Sequence, residues 1–66
     1  KGVRMTLLQR LLNIDRRLDE IESDIGKHDC DLFRKEYSMI LALNRGENKT
    51  KFYLKLNQFE KKVGLK

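Results

Sequence analysis

The sequence predicts an all-α domain built from three short helices. Three observations lead there. A heptad-regular apolar seam occupies the first third of the chain, no proline interrupts any stretch, and Gly26 and Gly46 divide the 66 residues into three segments. The expected helices span about 5–25, 31–44 and 50–63, with the first resembling one strand of a coiled coil. Each dividing glycine sits where a left-handed C-terminal cap is expected.

The first segment carries the clearest pattern. Leu7, Leu11, Ile14, Leu18, Ile21 and Ile25 recur at spacings of 4, 3, 4, 3 and 4, which keeps one narrow stripe on one face of a helix. Thr6 followed by Gln9 fits a capping box, in which the hydroxyl accepts from the third helical amide and the glutamine reaches back. Met5, Leu8 and Leu12 fall on a second face, in the first half only. That half is expected to meet two neighbours and the second half one.

In the second segment Asp29 and Asp31 favour a helix start, because carboxylates cap free amides and oppose the dipole. Leu32, Phe33, Tyr37, Met39, Ile40, Leu41 and Leu43 then cover about 200° of the helical wheel, the signature of a helix that is mostly surrounded. Glu36 falls inside this arc. It must reach out, be paired, or belong to a different register.

The third segment repeats Phe52, Leu56, Phe59 and Val63 at 4, 3 and 4. Thr50 to Leu56 also alternates, so an α+β arrangement with a hairpin at 38–56 is the competing architecture. Helix is preferred because its period continues through Val63, beyond the end of the alternation.

Composition bounds the function. The 66 residues form one small domain, and the lysine at position 1 leaves room for this being part of a longer chain. No apolar run is long enough for a membrane span, and no secretion signal stands at the start. Cys30 is the only cysteine, so no internal disulfide can form. A reducing, intracellular setting, cytoplasmic or nuclear, is the simpler expectation. The net charge of +5 divides unevenly, with −1 in residues 1–33 and +6 in residues 34–66.

Chemistry-bearing constellations are few. His28, Asp29, Cys30 and Asp31 are consecutive, and a tetrahedral metal needs ligands from separated places. Cys30 and His28 are too close in sequence for an ordinary nucleophile–base pair, and Gly46 stands alone in its loop, without a phosphate-cradling partner. Neither catalysis nor a metal nor a cofactor is expected, and no small-molecule substrate. The bland reading of the tetrad is a linker whose aspartates cap the second helix.

Binding surfaces remain. On a helical third segment Lys51, Lys55 and Lys62 fall within about 40° of each other, and Arg45 and Lys49 extend the stripe into the preceding loop. These five are the candidate phosphate contacts for DNA or RNA. On a strand, Tyr53 would join Lys51 and Lys55 on one face, like a stacking platform. The plain alternative is the solvated face of an amphipathic helix. Ala42 and Gly46 have the spacing of the small residue and turn glycine of the helix-turn-helix motif, and Phe52 fits a later apolar site, so about 20 residues resemble it. Arg45, Glu47 and Lys55 stand where that motif holds apolar residues, so no base-reading residue is carried over.

The leading expectation is a non-enzymatic protein-interaction or oligomerisation module, an adaptor or regulator. Its seam is Leu7, Leu11, Ile14, Leu18, Ile21 and Ile25, with Met5, Leu8 and Leu12 beside it. Another protein's helix, or a second copy in a homodimer, is the expected partner. Alternatively the seam is the chain's own core, with the acidic residues of the first half facing the basic third helix. A small basic nucleic-acid-binding regulator is the second expectation. Binding to a membrane surface is disfavoured, because the basic helix lacks a broad apolar face.

Overall fold

In the computed structural model, which describes residues 5–65, the three segments are α1 (Leu7–Ile25), α2 (Lys27–Arg45) and α3 (Lys49–Lys62). No strand occurs among the described residues, and 38–56 is helix, turn and helix rather than a hairpin. Side-chain bridges fix the directions. Cys30 meets Leu18 and Tyr37 meets Leu11, so α1 and α2 run antiparallel. Lys49 meets Asn44 and Lys62 meets Glu36, so α2 and α3 do too. Arg10 reaches Asn57 and Glu60, and Arg17 reaches Val63, so α1 and α3 run parallel.

The seam of α1 faces inward. Ile14, Leu18 and Ile21 are buried, and Leu7, Leu11 and Ile25 pack around them. They meet Phe52, Leu56, Phe59 and Val63 of α3 and Cys30, Tyr37 and Ile40 of α2 in one core. Phe59 sits at the aromatic centre. Tyr37 stacks on it at 5.8 Å, and Phe33 meets it edge-on at 6.1 Å. Both geometries suit the ring quadrupole.

Thr6 caps α1 by accepting from the Gln9 amide at 3.1 Å. The Gln9 side chain does not reach back. It donates to Asn13 at 3.0 Å, so only half of the capping box forms. Asn48 caps α3 in the same way, accepting from the Lys51 amide.

The start of α2 differs from expectation. The helix begins at Lys27, four residues before Asp31, and His28–Asp31 is its first turn rather than a linker. Gly26 alone joins α1 to α2. At φ 90° and ψ 157° it reverses the chain in one residue, a conformation essentially confined to glycine. Asp29 sits in the first turn, where its charge opposes the helix dipole. Cys30 is turned into the core and donates its thiol to the Leu18 carbonyl at 3.3 Å. Buried as a small hydrophobe, Cys30 extends the inner stripe to 30, 33, 37 and 40, in keeping with a helix that starts before Asp31.

Gly46 also departs from expectation, with φ −84° and no left-handed cap. The Lys49 ammonium covers the end of α2 instead, donating to the Asn44 carbonyl at 2.6 Å and to its side-chain oxygen at 2.7 Å. Position 64 holds a second glycine at positive φ, 87°. There the Gly64 amide donates to Lys61 and the Leu65 amide to Glu60, a Schellman closure of α3.

Among the described residues one charged side chain is buried within this frame. Glu60 is 4% exposed and takes Arg10 through both oxygens, at 2.8 and 3.2 Å. The Arg10 guanidinium also donates to Asn57 at 2.8 Å. Hydrogen bonding to Glu60 raises the Arg10 pKa and outweighs the opposing effect of partial burial. Arg17 donates to the Val63 carbonyl at 2.7 Å and ties the end of α3 to α1. The fold is thin, with extents of 32 × 32 × 16 Å, so each helix keeps an outward face.

Two stability outcomes follow from this frame. A methyl group at Gly26 meets nothing within 4 Å, so Gly26→Ala is strained through the backbone alone. It is expected to cost about 1–3 kcal/mol in urea unfolding. Arg10→Met strips a partner from a buried carboxylate and should cost about 2–4 kcal/mol. Arg10→Met combined with Glu60→Leu should cost less than Arg10→Met alone, as a double-mutant cycle would read.

Candidate interaction surfaces

Two of the outward surfaces left by the core among the described residues differ in kind. The first is on α1. Leu8 is 67% exposed and Leu12 48%. Met5, just before the helix, is 53% exposed and lies over Asn13, whose amide donates to its sulfur at 3.1 Å. This half of α1 does meet two neighbours, α2 at Leu11 and α3 at Arg10, but both gather on the seam side and the second stripe stays exposed. The expected association seam is itself mostly consumed. Ile14 and Leu18 are fully buried within the chain, which removes them from any external contact.

The second surface is a groove of about 360 Å³ between α2 and α3. Met39, Ile40 and Leu43 form its apolar side, and Lys51 and Lys55 line it from α3. Glu36 closes one end. Its carboxylate takes the Lys62 ammonium at 2.9 and 3.0 Å, which answers how an acid sits within the apolar arc of α2. That arc is wider than the chain can cover. Leu32 and Met39 are exposed, so α2 is not surrounded as its wheel implied.

The five predicted phosphate contacts do not act as one stripe. Lys62 is paired with Glu36 and Lys49 is spent on the end of α2. Arg45 belongs to the last turn of α2, where its charge suits the dipole. Lys51 and Lys55 are exposed, one turn apart. Because 50–56 is helical, Tyr53 packs edge-on against Phe52 at 5.0 Å. It points about 200° from either lysine, and the strand-type stacking platform does not form.

The acids of α1 do not pair with the lysines of α3 in the ion pairs among the described residues. Those pairs join Arg10 to Glu60, Arg17 to Glu20, Arg34 to Asp19 and Lys62 to Glu36. The Asp19 hydrogen bond raises the Arg34 pKa.

The His28–Asp31 tetrad is dispersed by the helix. Cys30 points into the core while His28, Asp29 and Asp31 are exposed. No group of three or more His, Cys, Asp or Glu side chains among the described residues is placed to hold a metal ion. None of the described helices is long and apolar enough to cross a membrane. No family model, curated protein or solved structure matches the chain.

Tyr37 is strongly shifted for a structural reason. Burial, with a smaller contribution from the charge of Asp15, pushes the Tyr37 phenol up to about 12. Its hydroxyl donates to the Leu11 carbonyl at 3.1 Å. The folded state holds the proton more tightly than the unfolded chain, whose phenol titrates near pH ~10. The stabilisation is therefore complete below pH ~10 and is lost as pH rises towards about 12. Tyr37→Phe should remove this part of the alkaline loss. It should also cost about 0.5–1.5 kcal/mol near neutrality, read by urea unfolding across the pH range.

Proposed function

We propose that this chain is a non-enzymatic protein-interaction module that offers α1 as a guest helix to an apolar groove on a partner protein. The observation that carries the reading is the outward stripe of Met5, Leu8 and Leu12. Their i, i+3, i+7 spacing is the anchor pattern of helix-in-groove recognition. Two of the three are more exposed than buried, although the rest of the α1 apolar set is packed inside.

Size argues for a partner that supplies the groove. A stable dimer of flat surfaces needs about 800 Å² from each side. Three side chains on one helical edge fall short of that, whereas anchors sunk into pockets bind through few residues. The seam being packed inside the chain also argues against a coiled-coil route to a homodimer. The single thiol, Cys30, is free and buried, which suits a reducing cytoplasmic or nuclear setting.

Leu8→Glu with Leu12→Glu is the direct test. Both residues lie outside the core, so circular dichroism and unfolding should stay close to wild type. Partners recovered with the whole chain as two-hybrid bait should bind the purified double variant at least about 30-fold more weakly. Partners that bind wild type and variant alike would overturn the reading.

A further inference from the structure

We propose that the α2/α3 groove is a second docking site, whose occupant is an acidic amphipathic helix from another protein. The site lies on different residues from the α1 stripe and does not depend on it.

The apolar half of the argument comes from α2. Met39 is 66% exposed and stands beside Leu43 and Ile40 along one edge of the helix. Methionine is unbranched and polarizable, so it adapts to an incoming apolar side chain. A patch of this kind suits two or three aliphatic or aromatic anchors spaced by one helical turn.

Charge selects the occupant. Four cations of the second half of the chain have been placed by the fold in intramolecular roles: Arg34 with Asp19, Lys62 with Glu36, Lys49 on Asn44, and Arg45 at the end of α2. Lys51 and Lys55 have no ion pair or side-chain hydrogen bond among the described residues. They stand together along the wall that faces Met39 and Leu43. Two ammonium groups one turn apart match two carboxylates one turn apart on a docked helix. The Lys62–Glu36 pair closes the end of the groove and keeps the Glu36 charge from repelling an acidic guest.

The apolar side separates a peptide from a nucleic acid. Phosphates would use Lys51 and Lys55 equally well, but they would gain nothing from Met39 and Leu43, and two unpartnered lysines make a weak phosphate site. A second copy of the chain is also a poorer fit. The outward anchors of α1 are followed by Asp15 and Arg16 together, and Asp19 on that helix is already held by Arg34.

A displayed library of helical peptides, panned against the full chain, tests the proposal. The expected binders pair apolar residues at helical spacing with Asp or Glu one turn apart. Synthetic versions should lose about tenfold or more in affinity towards Lys51→Glu with Lys55→Glu, and a similar amount towards Met39→Asp. The lysine variant should regain affinity for the same peptides with lysine in place of their acids. All three positions are exposed, so circular dichroism should report an unchanged fold.

Several results would overturn the proposal. They are no binders, binders without acidic enrichment, or binding indifferent to both variants. Tighter binding of a duplex oligonucleotide that ignores Met39→Asp would assign the lysines to nucleic acid instead. Concentration-dependent self-association on sedimentation, abolished by the lysine variant, would assign the groove to a second copy. Loss of α1 partners through Leu8→Glu would leave each of these outcomes unchanged.

Discussion

The structure turns on the burial of Phe59. Its ring lies 1% exposed between Tyr37, stacked against it, and Phe33, edge-on. Ile14, Leu18 and Ile21 of α1 join the same core. A chain this small has a narrow stability margin, so one well-filled aromatic centre matters more than it would in a large domain. With Phe59 in place, the antiparallel α1/α2 pair has something to close over. Without it, the core shared by the α1 seam, Tyr37, Ile40, Phe52, Leu56 and Val63 would lose its aromatic centre.

Polar groups set the registration that the apolar contacts leave loose. Tyr37 reaches the Leu11 carbonyl, Cys30 reaches the Leu18 carbonyl, and Arg17 reaches the Val63 carbonyl. Arg10 and Glu60 do the same for the parallel α1/α3 pair. Each bond fixes a rotation or a rise that leucine packing alone would permit to slip. Gly26 makes this economical in length. One residue in a glycine-only conformation replaces a loop and lets α2 begin early enough to bring Cys30 inside.

The same frame accounts for what is left outside. Three helices in a body 16 Å thick cannot cover every apolar residue of a chain in which 39% are hydrophobic. Among the exposed apolar residues Met5, Leu8 and Leu12 lie along one edge of α1 and Met39 lines the groove beside two lysines, while Leu32, Tyr53, Leu54 and Leu65 lie elsewhere. The basic second half is not a uniform coat. Four of its nine cations, Arg34, Arg45, Lys49 and Lys62, close helix ends or neutralise acids, and Lys51 and Lys55 lie side by side on an apolar groove.

Much of the fold was legible in the residue pattern, because helical periodicity and capping are local. The 4–3–4 spacings of α1 and α3, the Thr6 cap and the stop near Gly26 can be read without knowing any neighbour. The start of α2 was not, because aspartates that suit a cap also suit a first turn, and Cys30 declares itself apolar only when buried. The candidate surfaces were legible as residues but not as surfaces. Periodicity says that Leu11 and Leu18 share a face, and that Lys55 and Lys62 share another. It cannot say that the first face closes on the chain's own Phe59, or that Lys62 is held by Glu36 while Lys55 is left to the groove. Those distinctions depend on side chains 26 or more residues away meeting through the packing of whole helices, so they were settled only in three dimensions.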